Sequence, residues 1–284
     1  MKPRIHNQET VETLLAWGRE QLERGSESPR LDAEILLGHA LGLNRAAIYT
    51  DPGKPVTEPC SGNFMALIAA RSSGQPVAQL TGRREFWSLS LKVSGDVLVP
   101  RPETELLVER TLAHLPESKP GCVLDLGTGS GAIAIAIATE RGDCTITATD
   151  ISRAALAIAT ENGNMLVPGR IDFVHSDWFD ALIDMQFDLI VSNPPYVATG
   201  DDTDRATDFE PAEALFSGAD GLNDLRRIIA ASPAHLVPGG YLLLEHGLGQ
   251  AESVCSLMKD AGFDAIRSHK DLAGIERVTE GRLG

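Results

Sequence analysis

From residue 122 onward the chain alternates short apolar runs with helical stretches, and this alternation limits its fold more than any other feature. Residues 122–126, 145–149, 171–174, 187–192 and 241–245 read as strands, each a brief run rich in Val, Ile, Leu or Thr. Helical periods fill the intervals at 132–140, 153–162, 222–235 and 251–261, and two late β-like pieces, 263–267 and 275–279, close the chain. Strands separated by helices form a mostly parallel sheet covered on both faces. The expectation is an α/β, doubly wound, seven-stranded sheet.

In an open parallel sheet the ligand site lies outside the carboxyl ends of the strands. The first strand runs into Gly127-Thr128-Gly129-Ser130-Gly131, where glycine lets the backbone turn tightly and approach a ligand beneath a helix N-terminus. Gly127-x-Gly129-x-x-Ala132 also satisfies the dinucleotide fingerprint. The absence of a following Lys-Ser or Lys-Thr excludes a P-loop. The second strand ends in Asp150, at the distance expected of an acid that accepts ribose hydroxyls, with Ser152 available to cap the next helix instead. After the third come Asp177, which reads either as an acceptor for an exocyclic amine or as a loop cap, and Trp178, whose indole face suits a purine ring.

The fourth strand ends in Asn193-Pro194-Pro195-Tyr196. Two prolines stiffen the turn and remove two donors, which leaves the Asn193 amide oxygen and the Pro194 carbonyl as acceptors. A planar NH2 can donate one hydrogen to each, while the Tyr196 ring offers a stacking face. The four strand ends share one rim, so a nucleoside along the first three reaches an acceptor substrate held by the fourth.

The balance of 40 acidic to 25 basic residues, net −15, argues against direct nucleic-acid binding, which needs a basic face. No apolar run approaches a membrane span and no targeting segment is read at the start, so a cytoplasmic protein with no membrane association is expected. Cys60, Cys122, Cys144 and Cys255 lack metal-ligand spacing, and no metal is expected.

Residues 1–82 carry helical periods, with Val11, Leu14, Leu15 and Leu22 on one face and Leu31, Ile35 and Leu41 on another; Ser28-Pro29 reads as a helix start, and Trp17 and His39 as packing residues. Residues 83–100 read as a hairpin linker, alternating through Trp87, Leu89, Leu91 and Val93, turning at Ser94-Gly95-Asp96 and resuming at Val97. Residues 101–284 form the main domain. The acidic stretch between Thr199 and Asp224 reads either as a solvated loop or as a lid that steers a basic partner.

With Glu85-Phe86-Trp87, Pro100-Arg101-Pro102-Glu103-Thr104-Glu105, Asp125 to Gly131, Asn193 to Tyr196, Glu210-Pro211 and Asp220-Gly221-Leu222 assembled, the chain resembles the class I S-adenosylmethionine-dependent methyltransferases, specifically the HemK-type enzymes that methylate glutamine N5 in release factors. The resemblance implies S-adenosylmethionine as cofactor, S-adenosylhomocysteine as product and class 1 peptide chain release factors as partners, their Gly-Gly-Gln glutamine being the substrate. It also implies that residues 127–131 pass under the methionine part, that Asp150 holds the ribose, that Trp178 lies near the adenine, and that Asn193 to Tyr196 hold the glutamine carboxamide. The helices of 1–82 would help dock the protein substrate. A ribosomal-protein glutamine methyltransferase, an adenine-N6 methyltransferase and, more remotely, a nicotinamide-dependent oxidoreductase are the alternative readings.

Overall fold

A computed structural model describes residues 9–116 and 119–284. The chain divides into two units, one running to Gly82 and including Asp204–Phe209, the other comprising Arg83–Thr203 and Glu210–Gly284. Among the described residues no helix is long and apolar enough to cross a membrane.

In the first unit, α1 (Val11–Leu22), α2 (Pro29–Leu41), α3 (Glu58–Ser72) and α4 (Val77–Thr81) enclose Leu14, Leu22, Leu36, Leu37, Phe64 and Ile68. Thr10 starts α1 by a reciprocal cap with Thr13, satisfying donors that the first turn leaves open. Ser28 and Pro29 do begin α2, but the Ser28 hydroxyl donates to Asp32 instead of capping the helix. The buried stripe of α2 is Ala33, Leu36 and Leu37; Leu31 and His39, expected inside, are exposed. The stripe is rotated because Asp32 and Glu34 are themselves buried, Asp32 bonded to Arg71 (2.7 Å) and Glu34 to Arg30 (2.7 Å) and Arg45 (2.5 Å). A hydrophobic period cannot register a charge that is neutralised on site. Gln79 Nε2 donates to the Phe209 carbonyl (2.8 Å), so part of the acidic stretch read as a loop or lid belongs to this unit.

The second unit opens with an antiparallel hairpin, β1 (Arg83–Phe86) and β2 (Leu89–Lys92). Its turn is at Trp87-Ser88, not at residues 94–96 as the alternation indicated, and residues 97–99 form no strand. Both turn residues have left-handed φ, 52° and 58°, a conformation normally left to Asn or Gly. Tertiary contacts hold it: Trp87 N donates to Glu105 Oε1 (2.8 Å) and its indole nitrogen to Glu140 Oε1 (2.8 Å).

There follow α5 (Glu105–Ala113), β3 (Cys122–Leu126), α6 (Ala132–Glu140), β4 (Thr145–Asp150), α7 (Arg153–Leu166), β5 (Ile171–His175), β6 (Phe187–Ser192), α8 (Asn223–His235), β7 (Leu236–Glu245), α9 (Ala251–Asp260), β8 (Phe263–Lys270) and β9 (Glu276–Leu283). The expected seven-stranded sheet is present in the order β5-β4-β3-β6-β7-β9-β8, parallel except at β9. Successive residues face opposite sides: Val123, Leu189 and Leu243 pack with α5 and α6, while Leu124, Ile190 and Leu242 pack with α8 and α9. In α6 the residues from Ala132 to Ala138 are all buried, which explains a helix with no polar face.

The antiparallel edge is fastened by Glu280 of β9, only 3% exposed, which receives Arg110 Nε (3.1 Å) and Nη2 (3.2 Å) and lies beside His114 (3.1 Å) and His269 (3.2 Å). Burial alone would raise the Glu280 carboxyl; the His114 and Arg110 contacts outweigh it and bring the group down to about 2. Because the folded value lies below the ordinary carboxylate value, this contribution is complete above about pH 4.5 and is lost as pH falls towards 2. Glu280→Gln is therefore expected to lower unfolding free energy by about 2–4 kcal/mol at neutral pH, and to flatten stability loss below pH 4.5, both read by denaturant titration.

Candidate active site

Four strand ends build one cleft of about 340 Å³, lined by Gly127, Thr128, Gly129, Ser130, Asp150, Asp177, Trp178 and Asn193 among others. Asp125, the penultimate residue of β3, is fully buried and holds the glycine loop: Oδ2 accepts from Thr128 Oγ1 (2.6 Å) and Ala134 N (3.2 Å). Burial pushes its carboxyl up to about 7 against those two hydrogen bonds. Thr128 N donates across to the Thr149 carbonyl (2.8 Å), so the loop is tied to β4. Gly131 has φ +85°, and a Cβ there would lie 2.9 Å from Ile135 Cδ1 and 3.3 Å from the Ala159 backbone. Gly127 has φ +68°, and a Cβ there would lie 3.3 Å from the Trp178 ring. The indole therefore covers the loop.

Asp150 ends β4 with one oxygen on Gly129 N (2.8 Å) and the other on Ser152 N (2.8 Å). Ser152 caps α7 through Ala155 N, the role that was weighed for Asp150. The carboxylate retains free lone pairs on the cleft wall, and burial, opposed by the two backbone donors, raises its pKa. Asp177 is bound to Arg227 of α8 (3.0 Å), a cleft residue that sequence reasoning did not single out because its signal is only a helix-surface arginine.

At the end of β6 the Asn193 Nδ2 donates to the Thr104 hydroxyl (3.2 Å), whereas its Oδ1 is buried without a hydrogen-bond partner. A buried orphan acceptor costs about 1–3 kcal/mol unless a ligand supplies the donor. Pro195 lines the cleft with Asn193; Pro194 is buried, and Tyr196 packs partly into the core beneath α8 and α9, its hydroxyl donating to Glu245 Oε1 (3.2 Å). Gln250 Nε2 holds the Tyr196 carbonyl (2.9 Å). Thr104 was read only as part of the charged proline loop and Glu245 and Gln250 were given no site role, although Glu245 ends the strand adjacent to Asn193, which is a signal that the topology supplies. The Arg101-Glu103-Glu105 loop is anchored by Arg101 and Val99 N on Glu210 (2.5 and 2.9 Å), so this member of the acidic stretch is buried.

The Methyltransferase small domain family matches residues 103–246, and the PrmC N-terminal domain family matches residues 13–82. The chain is 47% identical over 271 residues to the release factor glutamine methyltransferase of Xylella fastidiosa (strain Temecula1 / ATCC 700964), covering 95% of this chain and 96% of that one. It belongs to the release factor glutamine methyltransferase family. The Escherichia coli (strain K12) member is 46% identical over 270 residues, with 94% of this chain and 97% of that one covered. Among solved structures, a methyltransferase from Pyrococcus furiosus superposes with a TM-score of 0.55 at 17% identity, over 78% of this chain and 99% of that one. The T. Thermophilus 16S rRNA N2 G1207 methyltransferase, in complex with AdoMet and guanosine, gives 0.52 at 22%, over 71% and 50%. At these identities the two structures support the fold, and the curated relatives support the family.

The two loop glycines separate backbone strain from crowding. Gly129 has φ +57° with open space around its missing Cβ, so Gly129→Ala is expected to cost about 1–2 kcal/mol from the left-handed conformation alone. Gly131→Ala adds the overlap with Ile135 and Ala159, and thermal denaturation is expected to show at least about twice that loss.

Proposed function

We propose that this protein transfers a methyl group from S-adenosylmethionine to the side-chain amide nitrogen, N5, of the glutamine in the Gly-Gly-Gln motif of class 1 peptide chain release factors. The observation that carries this reading is the buried, unpartnered Asn193 Oδ1 beside a stiff proline turn in a chain of this family. It is an acceptor waiting for a donor, and a carboxamide NH2 supplies one.

The cleft fits the cofactor: a loop that approaches a ligand by backbone, a carboxylate with spare lone pairs and an indole wall occur together. Gly127 to Gly131 would hold its methionine part, Asp150 its ribose hydroxyls, and Asp177 with Trp178 its adenine. When bound, S-adenosylmethionine supplies a methyl group on a positively charged sulfur. Asn193 Oδ1 and the Pro194 carbonyl would each accept a hydrogen bond from the glutamine NH2, press electron density onto a nitrogen whose lone pair is otherwise delocalised, and orient that pair; the nitrogen that gains the methyl releases one proton to solvent. Holding two reactants in such a pose is worth on the order of 7–11 kcal/mol. Tyr196 fixes the turn by anchoring its hydroxyl on Glu245 and its carbonyl on Gln250. The same acceptors reject a glutamate side chain, whose oxygens offer them no hydrogen. The helices of the first unit are proposed to help dock the release factor.

Methyl transfer from labelled cofactor to an unmodified release factor, its Gln→Glu form at the Gly-Gly-Gln loop and duplex DNA tests the assignment. Label on the first alone is the expected result; label on DNA or on the Gln→Glu form overturns it. Asn193→Ala is expected to lower kcat by at least about 100-fold while cofactor Kd changes less than about threefold. Asp150→Ala is expected to raise cofactor Kd by about 10- to 100-fold, measured by calorimetry, as a charged hydrogen-bond partner is lost.

A further inference from the structure

Among the described residues Arg227 is the only basic side chain lining the cleft, and the reaction as derived above gives it no task. It lies one turn into α8, where Nη2 donates to Asp177 Oδ2 (3.0 Å) and Nη1 faces Asp224 Oδ1 (3.9 Å). Asp224 is itself fixed: its Oδ2 accepts from Ser217 Oγ (2.7 Å), and its backbone N donates to that same hydroxyl oxygen (2.8 Å). The guanidinium is thus held between a braced carboxylate and Asp177, whose Oδ1 takes no hydrogen bond among the described residues. The backbone on which Asp177 stands is also constrained. Its carbonyl accepts from Asp180 N (3.1 Å), and Trp178 has φ 46°, a left-handed conformation uncommon for a bulky residue.

We propose that Arg227 is a positioning residue that sets the base specificity of the cofactor site: by gripping Asp177 Oδ2 it presents Oδ1 to the 6-amino group of adenine, and so selects adenine over a 6-oxopurine. This rests on the reading of Asp177 and Trp178 as the adenine side of the cleft. The argument is a count of donors and acceptors. A guanidinium has only donors and a carboxylate only acceptors, so the pair has one polarity and its free end is an acceptor. Adenine brings an NH2 to that end. Hypoxanthine brings a carbonyl oxygen, and two acceptors then face each other. A carboxylate left to itself can turn to the N1 hydrogen of hypoxanthine, one ring position on; a carboxylate tied to a planar, braced guanidinium is kept from following it.

The polarity of the pair becomes measurable when the carboxylate is replaced by an amide, which has one end of each kind. In Asp177→Asn the side chain gives its oxygen to Arg227, because Arg227 has no acceptor to offer, and its NH2 is left for the base. The preference then inverts, since that NH2 suits the 6-oxo oxygen of hypoxanthine and opposes the 6-amino group of adenine. Without Arg227 the amide turns either way and serves both bases. Lysine at position 227 is also donor-only and keeps the inversion; methionine has no donor and loses it. The Arg227 and Asp177 side chains are 54% and 37% exposed, so these substitutions leave the fold intact, and a ratio of two affinities cancels any general loosening of the cleft.

The test is the ratio of calorimetric Kd values for S-inosylhomocysteine and S-adenosylhomocysteine, measured on the full chain. The wild type is expected to favour the adenosyl compound by at least about 30-fold, and Arg227→Met to shrink that preference at least about threefold. Asp177→Asn is expected to favour the inosyl compound by about 3- to 10-fold. In Asp177→Asn with Arg227→Met the ratio is expected within about twofold of unity, whereas Asp177→Asn with Arg227→Lys keeps the inosyl preference. A merely structural arginine would not move the sign of this ratio. Equal ratios in Asp177→Asn with and without Arg227→Met overturn the proposal, and leave Asp177 at the base if that shared ratio differs from the wild type's. A wild-type ratio in Asp177→Asn takes Asp177 away from the adenine altogether, and the reading of that wall falls together with the proposal.

Discussion

The parallel pairing of β6 with β3 is the constraint on which the rest of the site depends. β3, β4 and β5 progress in one direction across the sheet, and β6 returns to the other side of β3. At that reversal the connections leaving β3 and β6 diverge, which opens a crevice at their carboxyl ends. The glycine loop occupies one lip and Asn193 the other. Moving β6 to the outer edge of β5 would keep every strand and lose the site.

The interior of this acidic protein uses carboxylates in two distinct ways. Where a carboxylate meets arginine, as Glu280 meets Arg110, it becomes a permanently charged brace and its pKa falls. Where its hydrogen-bond donors are hydroxyls or backbone NH groups, as at Asp125, Asp150 and Glu245, burial dominates and the pKa rises. The second class gathers at the cleft. There the carboxylates shape the glycine loop, the wall at the end of β4 and the asparagine turn through hydroxyl and backbone NH donors.

Much of this arrangement was legible beforehand. Cys122–Leu126, Ala132–Glu140 and Phe187–Ser192 have the bounds that their apolar runs indicate, because a buried parallel strand or an all-apolar helix announces itself residue by residue. The hairpin was misplaced because Ser94-Gly95-Asp96 has the composition of a turn and Trp87-Ser88 does not; the latter is held by Glu105 and Glu140, which are distant in sequence. Leu31 was misjudged for a related reason, since buried Asp32 and Glu34 displaced the apolar stripe of α2.

By itself, the sequence determined the strand-helix alternation, the loop that only glycine can follow and the stiff Asn193-Pro194-Pro195-Tyr196 turn, since periodicity and proline or glycine stereochemistry act over a few neighbouring residues. Only the tertiary structure decided which acceptor is left without a donor. The Asn193 amide is oriented by Thr104, 89 positions away, and the Tyr196 hydroxyl of the same turn is held by Glu245, 49 positions away. Hydrogen-bond complementarity of that kind depends on distance in space, and no local pattern encodes it.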